Sequence, residues 1–186
     1  MVTPGGTVLD LGCGEGDLLS ALVKEKRARA QGIEIDERCI HRCVSRGLSV
    51  LHGDIDSGLA EYDDKTFDFV ILNQSFQQVR RPETVLKEAL RVGRKVIVAI
   101  PNFAHYKARW QIFFKGRTPV TASLPYKWYD TPNLHFLSLS DFSGYCRERH
   151  IRIDRAAYTS LDKRVKIFPN LLALVGIFAV SDGEVS

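Results

Sequence analysis

The sequence contains no apolar run long enough to cross a membrane. A transmembrane helix needs about 20 consecutive apolar residues, whereas the longest apolar run here, residues 171–180, suits a buried strand. We also expect no signal peptide, because Met1 is followed at once by Val-Thr-Pro-Gly-Gly and then by the first predicted strand. We therefore expect a cytoplasmic protein with no membrane partner.

Cysteine is scarce, and its spacing does not form a metal-binding pattern. Cys13 lies in a glycine-rich stretch, Cys39 and Cys43 lie one helical turn apart, and Cys146 is distant from all three. Disulfides are rare in the reducing cytosol, and no paired CxxC or neighbouring His-x-His supports a metal site. We expect small structural thiols and no bound metal.

Charge of one sign is not in large excess. The formal net charge of +4 falls well short of the basic footprint of a nucleic-acid-binding domain. The lysines and arginines are spread along the chain, which is typical of a solvated surface. Nucleic acid is therefore disfavoured as a partner.

Strand and helix patterns alternate along most of the chain. The 186 residues suffice for a single domain, residues 1–186, and are too few for two comfortable ones. Strands are predicted at 7–11, 28–35, 48–53, 67–73, 95–100, 151–161 and 171–181, with helices at 16–27, 37–46, 82–92 and 138–149. This order predicts an α/β fold with a doubly wound, mostly parallel, seven-stranded Rossmann-like sheet that ends in an antiparallel hairpin.

The most informative motif follows the first predicted strand, as Asp-Leu-Gly-Cys-Gly-Glu-Gly over residues 10–16. Alternating glycines allow a tight turn and let a ligand approach the backbone with no Cβ in the way. The helix behind them offers its unpaired N–H groups. The motif predicts a nucleoside cofactor held at Asp10, Gly12, Cys13, Gly14 and Gly16.

Acidic residues follow the second and third predicted strands. Glu34 ends the second strand beside the first, where a carboxylate can accept hydrogen bonds from both ribose hydroxyls. Asp54, after the third strand, is placed for an adenine amino group, with Ile55 against the ring. Ile35, next to Glu34, and Asn73, at the end of the fourth strand, complete the predicted cofactor-binding set.

Two nucleoside ligands compete for this pattern. A dinucleotide fold prefers Gly-x-Gly-x-x-Gly, whose third glycine helps the helix to pack near a pyrophosphate. This chain has Gly-x-Gly-x-Gly and then Asp17, so the spacing and the acid disfavour an NAD-dependent oxidoreductase. The motifs, in this order, resemble those of class I S-adenosylmethionine-dependent methyltransferases. The resemblance implies S-adenosylmethionine or S-adenosylhomocysteine as the cofactor.

A methyl acceptor would lie at the carboxyl ends of the fourth and fifth strands. The fourth runs into Asn-Gln-Ser-Phe-Gln-Gln and lacks the Asn/Asp-Pro-Pro-Tyr/Phe motif of methyltransferases that act on nucleic-acid bases. The fifth runs into Pro-Asn-Phe-Ala-His, where His105 is the best candidate for a catalytic general base. A hydrogen-bonded structural histidine is an equal alternative.

Unusual segments at 101–105, 118–121 and 124–135 resemble the MetW family of methionine biosynthesis proteins. The resemblance implies a class I methyltransferase fold and a role alongside homoserine O-acetyltransferase as partner. Two functions stay open, namely a cofactor-binding protein that acts with this enzyme and an active small-molecule methyltransferase.

Only six residues precede Thr7, where methyltransferase-like proteins usually carry a helix that helps to cover the cofactor; this departure bears on cofactor affinity and not on the fold.

An insertion at about 103–135 has no clean period and mixes aromatic with basic residues. Aromatic side chains and arginine are typical of interaction hot spots, and loops of this length are usually functional. The segment therefore predicts a docking surface or a substrate cap. The alternative is a satellite core beneath a long loop.

Overall fold

Among residues 1–161 and 163–183, which the computed structural model describes, eight strands form one sheet. In chain order they are β1 (Thr7–Leu11), β2 (Arg29–Glu34), β3 (Ser49–His52), β4 (Phe67–Asn73), β5 (Gly93–Pro101), β6 (Ile151–Ser160), β7 (Lys163–Arg164) and β8 (Val175–Asp182). Their spatial order is β3-β2-β1-β4-β5-β8-β6-β7. The first five are parallel, and β8 runs antiparallel to both β5 and β6.

Helices cover both faces of this sheet. They are α1 (Asp17–Lys26), α2 (Glu37–Ser45), α3 (Pro82–Val92), α4 (Tyr106–Lys115), α5 (Leu139–Glu148) and the short α6 (Pro169–Leu172). Local sequence sets several of the starts. The Asp36 side chain caps α2, Ser138 and Asp141 form a capping box at α5, and α3 begins with Pro82 in its first turn.

The central strands are buried on both faces. In β4, Val70 and Leu72 pack into a large core with α3 and α5, whereas Phe69 and Ile71 pack on the other face with Leu22 of α1. Successive side chains of a strand point to opposite faces. The part of a strand that has helices on both sides must therefore be apolar throughout, which explains the unbroken apolar run at 69–72.

The structure confirms the α/β class, the parallel sheet and the antiparallel carboxyl-terminal hairpin. It corrects three details. An eighth strand, β7, pairs antiparallel with the end of β6, with Thr159 opposite Arg164 and Ser160 opposite Lys163. The strand expected over 171–181 begins at Val175, since Pro169 starts the short helix α6. The insertion, expected to be irregular, contains α4.

Other expectations concern what the chain lacks. No helix in the described part of the chain combines the length and apolarity that a bilayer requires. All four cysteines are free thiols. Within residues 1–161 and 163–183, no group of three histidine, cysteine, aspartate or glutamate side chains is arranged to hold a metal ion.

Candidate cofactor-binding site

The loop after β1 is built on three glycines in the left-handed backbone region. Gly12, Gly14 and Gly16 have φ angles of 74°, 56° and 79°, which strain any side chain with a Cβ. A Cβ at Gly12 would lie 2.9 Å from Cβ of Ser75. A Cβ at Gly14 would meet no described atom within 4 Å, because that glycine faces an open cleft.

Hydrogen bonds join this glycine loop to the end of β2. The N–H groups of Gly12 and Cys13 donate to the carbonyl of Ile33, at 2.9 and 3.1 Å. The N–H of Gly14 donates to Oε2 of Glu34 at 2.7 Å. Oε1 of Glu34 accepts from the N–H groups of Ile35 and Asp36, at 2.9 and 3.0 Å. The Glu34 carboxylate is thus fixed at the cleft by backbone donors on both oxygens.

Helix α2 holds the same loop through its side chains. Arg42 pairs with Glu15, and Arg46 pairs with Asp17 at 2.8 Å. The Cys43 thiol donates to the carbonyl of Gly14 at 3.2 Å. Sequence reasoning missed these contacts, although the four-residue spacing of Arg42 and Arg46 places both on one helix face.

Asp10 lies behind the loop with an unpaired carboxyl oxygen. Its side chain is 1% exposed, and Oδ1 has no hydrogen-bond partner among the described residues. Burial and then the charge of Glu34 raise the pKa of Asp10 to about 7. A charged carboxyl that is buried without a partner is costly, which is why burial favours the protonated form of Asp10.

The cleft measures about 720 Å³, which is within the range of small-molecule sites. It opens at the carboxyl ends of β1, β2 and β4, where the strand order reverses and ligands of such sheets bind. Seven residues of the predicted set line it: Gly12, Gly14, Glu34, Ile35, Asp54, Ile55 and Asn73. Asp10, Cys13 and Gly16 are absent from the lining described for this cleft and support it from behind.

The loop that follows β4 forms the facing wall. Ser75 fixes it to β1 by donating its hydroxyl to the carbonyl of Leu11 at 2.6 Å. Asp56 fixes its far end, because its carboxylate accepts the N–H groups of Arg80 and Arg81, each at 2.9 Å. The sequence placed Gln74, Ser75 and Gln78 at the acceptor end of the fourth strand. It did not indicate the other lining residues, which are Ile33, Asp36, Cys39, Gly53, Asp56, Val79, Arg80 and Tyr126.

His105 lies away from this wall, at the start of α4. Its side chain is 2% exposed, and Nδ1 accepts the backbone N–H of Lys107 at 3.3 Å. Burial, followed by the Lys107 cation, lowers the pKa of His105. This is the geometry of a helix cap, and His105 is not part of the described cleft lining. Its catalytic role stays a prediction.

The sequence matches a family model. The model described as "Methionine biosynthesis protein MetW" matches residues 1–180. The bifunctional methionine biosynthesis protein MetXA/MetW of Rhodopirellula baltica is 32% identical over a 179-residue alignment that covers 91% of this chain and 29% of that protein. The chain therefore spans less than a third of this relative.

Solved structures share the fold. An S-adenosylmethionine-dependent methyltransferase from Archaeoglobus fulgidus superposes with a TM-score of 0.69 at 19% identity, over 95% of this chain and 86% of that one. The [4+2]-cyclase SpnF superposes with a TM-score of 0.67 at 15% identity, over 97% and 76%. At such identities the likeness establishes the fold and leaves the chemistry open.

Proposed function

The chain belongs to the MetW family of methionine biosynthesis proteins, and we propose that it binds S-adenosylmethionine or S-adenosylhomocysteine and acts with homoserine O-acetyltransferase in the cytoplasm. The placement of Glu34 carries the ligand assignment. Backbone donors hold this carboxylate beside a glycine loop at the edge of an open cleft. A carboxylate in this position suits the paired hydroxyls of a ribose.

The remaining groups fit the other parts of such a ligand. Asp54 and Ile55 line the same cleft and suit an adenine, through the carboxylate and the apolar side chain respectively. Gly14 leaves the backbone accessible, since a Cβ there would meet no described atom within 4 Å. Asp17, which follows the third glycine of the loop, suits the ammonium group of a methionine moiety better than it suits a pyrophosphate. The set therefore favours a sulfonium nucleoside over a dinucleotide.

Support for the partner comes from the bifunctional relative. Its name joins MetXA and MetW, and this chain covers 29% of its length. Fusion keeps two domains at high effective concentration, which is useful when they act together. The free state of all four cysteines agrees with the reducing cytoplasm.

Methyl transfer to a small molecule is a second candidate. It is favoured by the polar amides of Asn73, Gln74 and Gln78, which line the cleft beyond the glycine loop and can orient an acceptor. Transfer from a sulfonium needs the acceptor in line with the methyl group. Amides supply hydrogen bonds for that purpose but are poor bases.

Thermal unfolding tests the ligand assignment. A ligand that binds only the folded chain raises the unfolding midpoint with its concentration. We expect S-adenosylmethionine and S-adenosylhomocysteine to raise it and NAD to leave it unchanged, and a shift with NAD alone would contradict the assignment.

Incubation of the chain with S-adenosylmethionine and a metabolite extract separates the two functions, since only an active methyltransferase accumulates S-adenosylhomocysteine above the level of a chain-free control.

A further inference from the structure

Large aromatic side chains project into solvent from α4 and from a later turn of the insertion, which the N–H of Asp130 closes by donating to the carbonyl of Lys127. The exposed fractions are 51% for Trp110, 81% for Phe113, 66% for Phe114, 73% for Trp128 and 64% for Tyr129. We call these residues, with the lysines and arginines of 107–127, the aromatic–basic surface. Of the ten residues of α4, all of them described, Ala108 is the buried one. The insertion is therefore not a satellite core.

Hydrogen bonds fix the shape of this surface. The Gln111 amide donates to the carbonyl of Val120 at 2.9 Å and accepts its N–H at 3.0 Å. Further along, the N–H groups of Leu134 and His135 donate to the carbonyl of Gln77, at 2.9 and 3.0 Å. Exposed apolar area held in a fixed shape marks an interaction site.

Acidic residues are scarce in this segment, so the excess positive charge of the chain falls here. Residues 103–135 contain five lysines and arginines and one aspartate, so this segment alone carries +4, the formal net charge of the whole chain. The cations lie among the rings, with Lys115 Nζ 5.2 Å from the centre of Trp110 and Lys127 Nζ 5.7 Å from that of Tyr129. The fitting partner presents an apolar groove with a carboxylate rim. A second copy of this surface would instead bring cation against cation.

We propose that the aromatic–basic surface docks in an acidic, apolar groove of homoserine O-acetyltransferase. The choice of enzyme rests on the proposed function, whereas the chemistry of the groove follows from the exposed rings and the excess of cations. A protein groove is favoured over an anionic lipid surface, because the helix and the hydrogen-bonded turn hold the rings in fixed relative positions. Insertion into a fluid bilayer does not require the rings to have fixed relative positions.

Binding of the full chain to purified homoserine O-acetyltransferase by surface plasmon resonance tests this proposal. The double variant Phe113→Ala/Trp128→Ala is expected to weaken binding at least tenfold, about the effect of losing two interface anchors. Lys115→Glu is expected to weaken it as well, and wild-type affinity should fall as salt rises from about 0.05 M to about 0.5 M. The matched controls are Val44→Ala, an exposed apolar residue on α2, and Lys24→Glu, the same charge change on α1.

The outcomes are distinct. Unchanged S-adenosylhomocysteine affinity and unfolding midpoint in the double variant, together with weakened enzyme binding, support the proposal. Equal binding by wild type and double variant overturns the docking surface but leaves the proposed function intact. No binding by the wild type overturns both the partner and the surface. Flotation of the wild type, but not of the double variant, with phosphatidylglycerol vesicles overturns the proposal in favour of a lipid surface.

Discussion

The backbone N–H of Gly14 donates to Oε2 of Glu34 at 2.7 Å, across a gap of 20 residues in the chain. This bond joins the turn after β1 to the end of β2, which are neighbours because the two strands pair in parallel. It holds both the backbone and the carboxylate at the cleft through a contact within the chain itself. Preorganisation of this kind lowers the entropy that binding would otherwise cost.

Replacing Glu34 by glutamine should weaken S-adenosylhomocysteine binding by about one to two orders of magnitude. Hydrogen bonds to a charged acceptor contribute about 1.5–3 kcal/mol each, and the new amide would point a donor at the N–H of Gly14. Isothermal titration calorimetry measures the loss. Glu61→Gln, at an exposed position away from the cleft, controls for the change in net charge. Equal affinity of Glu34→Gln and wild type would show that this carboxylate does not contact the ligand.

Alanine variants of two glycines with the same backbone conformation distinguish the effect of backbone strain from the effect of blocking the cleft. Gly14 and Gly116 have φ angles of 56° and 57°, and at neither would a Cβ meet a described atom within 4 Å. Alanine at either site should cost about 1–2 kcal/mol of stability. Only Gly14→Ala adds a methyl group to the cleft, so it alone should abolish S-adenosylhomocysteine binding. Urea unfolding and calorimetry on both variants check this, and loss of binding in Gly116→Ala would point to general damage instead.

Asp10 should make the ligand-free chain less stable as pH rises from about 4 to about 7. Burial, then the charge of Glu34, raises the pKa of this carboxyl from 3.8 to about 7. Between those values the folded chain keeps a proton that the unfolded chain has lost, so stability falls with pH and levels off above the folded pKa. Urea unfolding of wild type and Asp10→Asn at about pH 5 and about pH 8 measures the effect. The stability of Asp10→Asn relative to wild type should be greater at the higher pH; a constant difference would contradict the raised pKa.

Variants of His105 distinguish a role as a helix cap from a role as a general base. His105→Ala removes the acceptor for the Lys107 N–H and should lower the free energy of unfolding by about 1 kcal/mol. Asparagine is a good cap and a poor base, so His105→Asn should recover much of that stability. S-adenosylhomocysteine affinity should be unchanged in both. Wild-type stability in His105→Ala, combined with loss of methyl transfer in both variants, would instead support the catalytic assignment.

The sequence was sufficient for the parts of this fold that depend on local pattern. The strand at 67–73 and the helix at 82–92 have the predicted bounds, because burial on both faces gives the strand a dense apolar sequence and a proline marks the start of the helix. The sequence of α4 has no comparable signal. Its apolar residues surround the axis instead of forming one stripe, so no helical period is visible.

The candidate site was predictable to a similar extent. Gly12, Gly14 and Glu34 could be named because strand, turn and acid follow one another in a short stretch. Asp56 and Tyr126 could not, since their place at the cleft depends on contacts between loops distant in sequence. Likewise, His105 follows the right strand for a base, yet the direction of its ring is set by the helix that it caps.

Isothermal titration calorimetry of the full chain with S-adenosylhomocysteine tests the central claim most directly, with NAD titrated under the same conditions. We expect saturable binding at one site per chain for S-adenosylhomocysteine, retained in Gly116→Ala and lost in Gly14→Ala, and no heat of binding for NAD. Binding of NAD, or the absence of binding for both S-adenosylhomocysteine and S-adenosylmethionine, would contradict the assignment of this cleft.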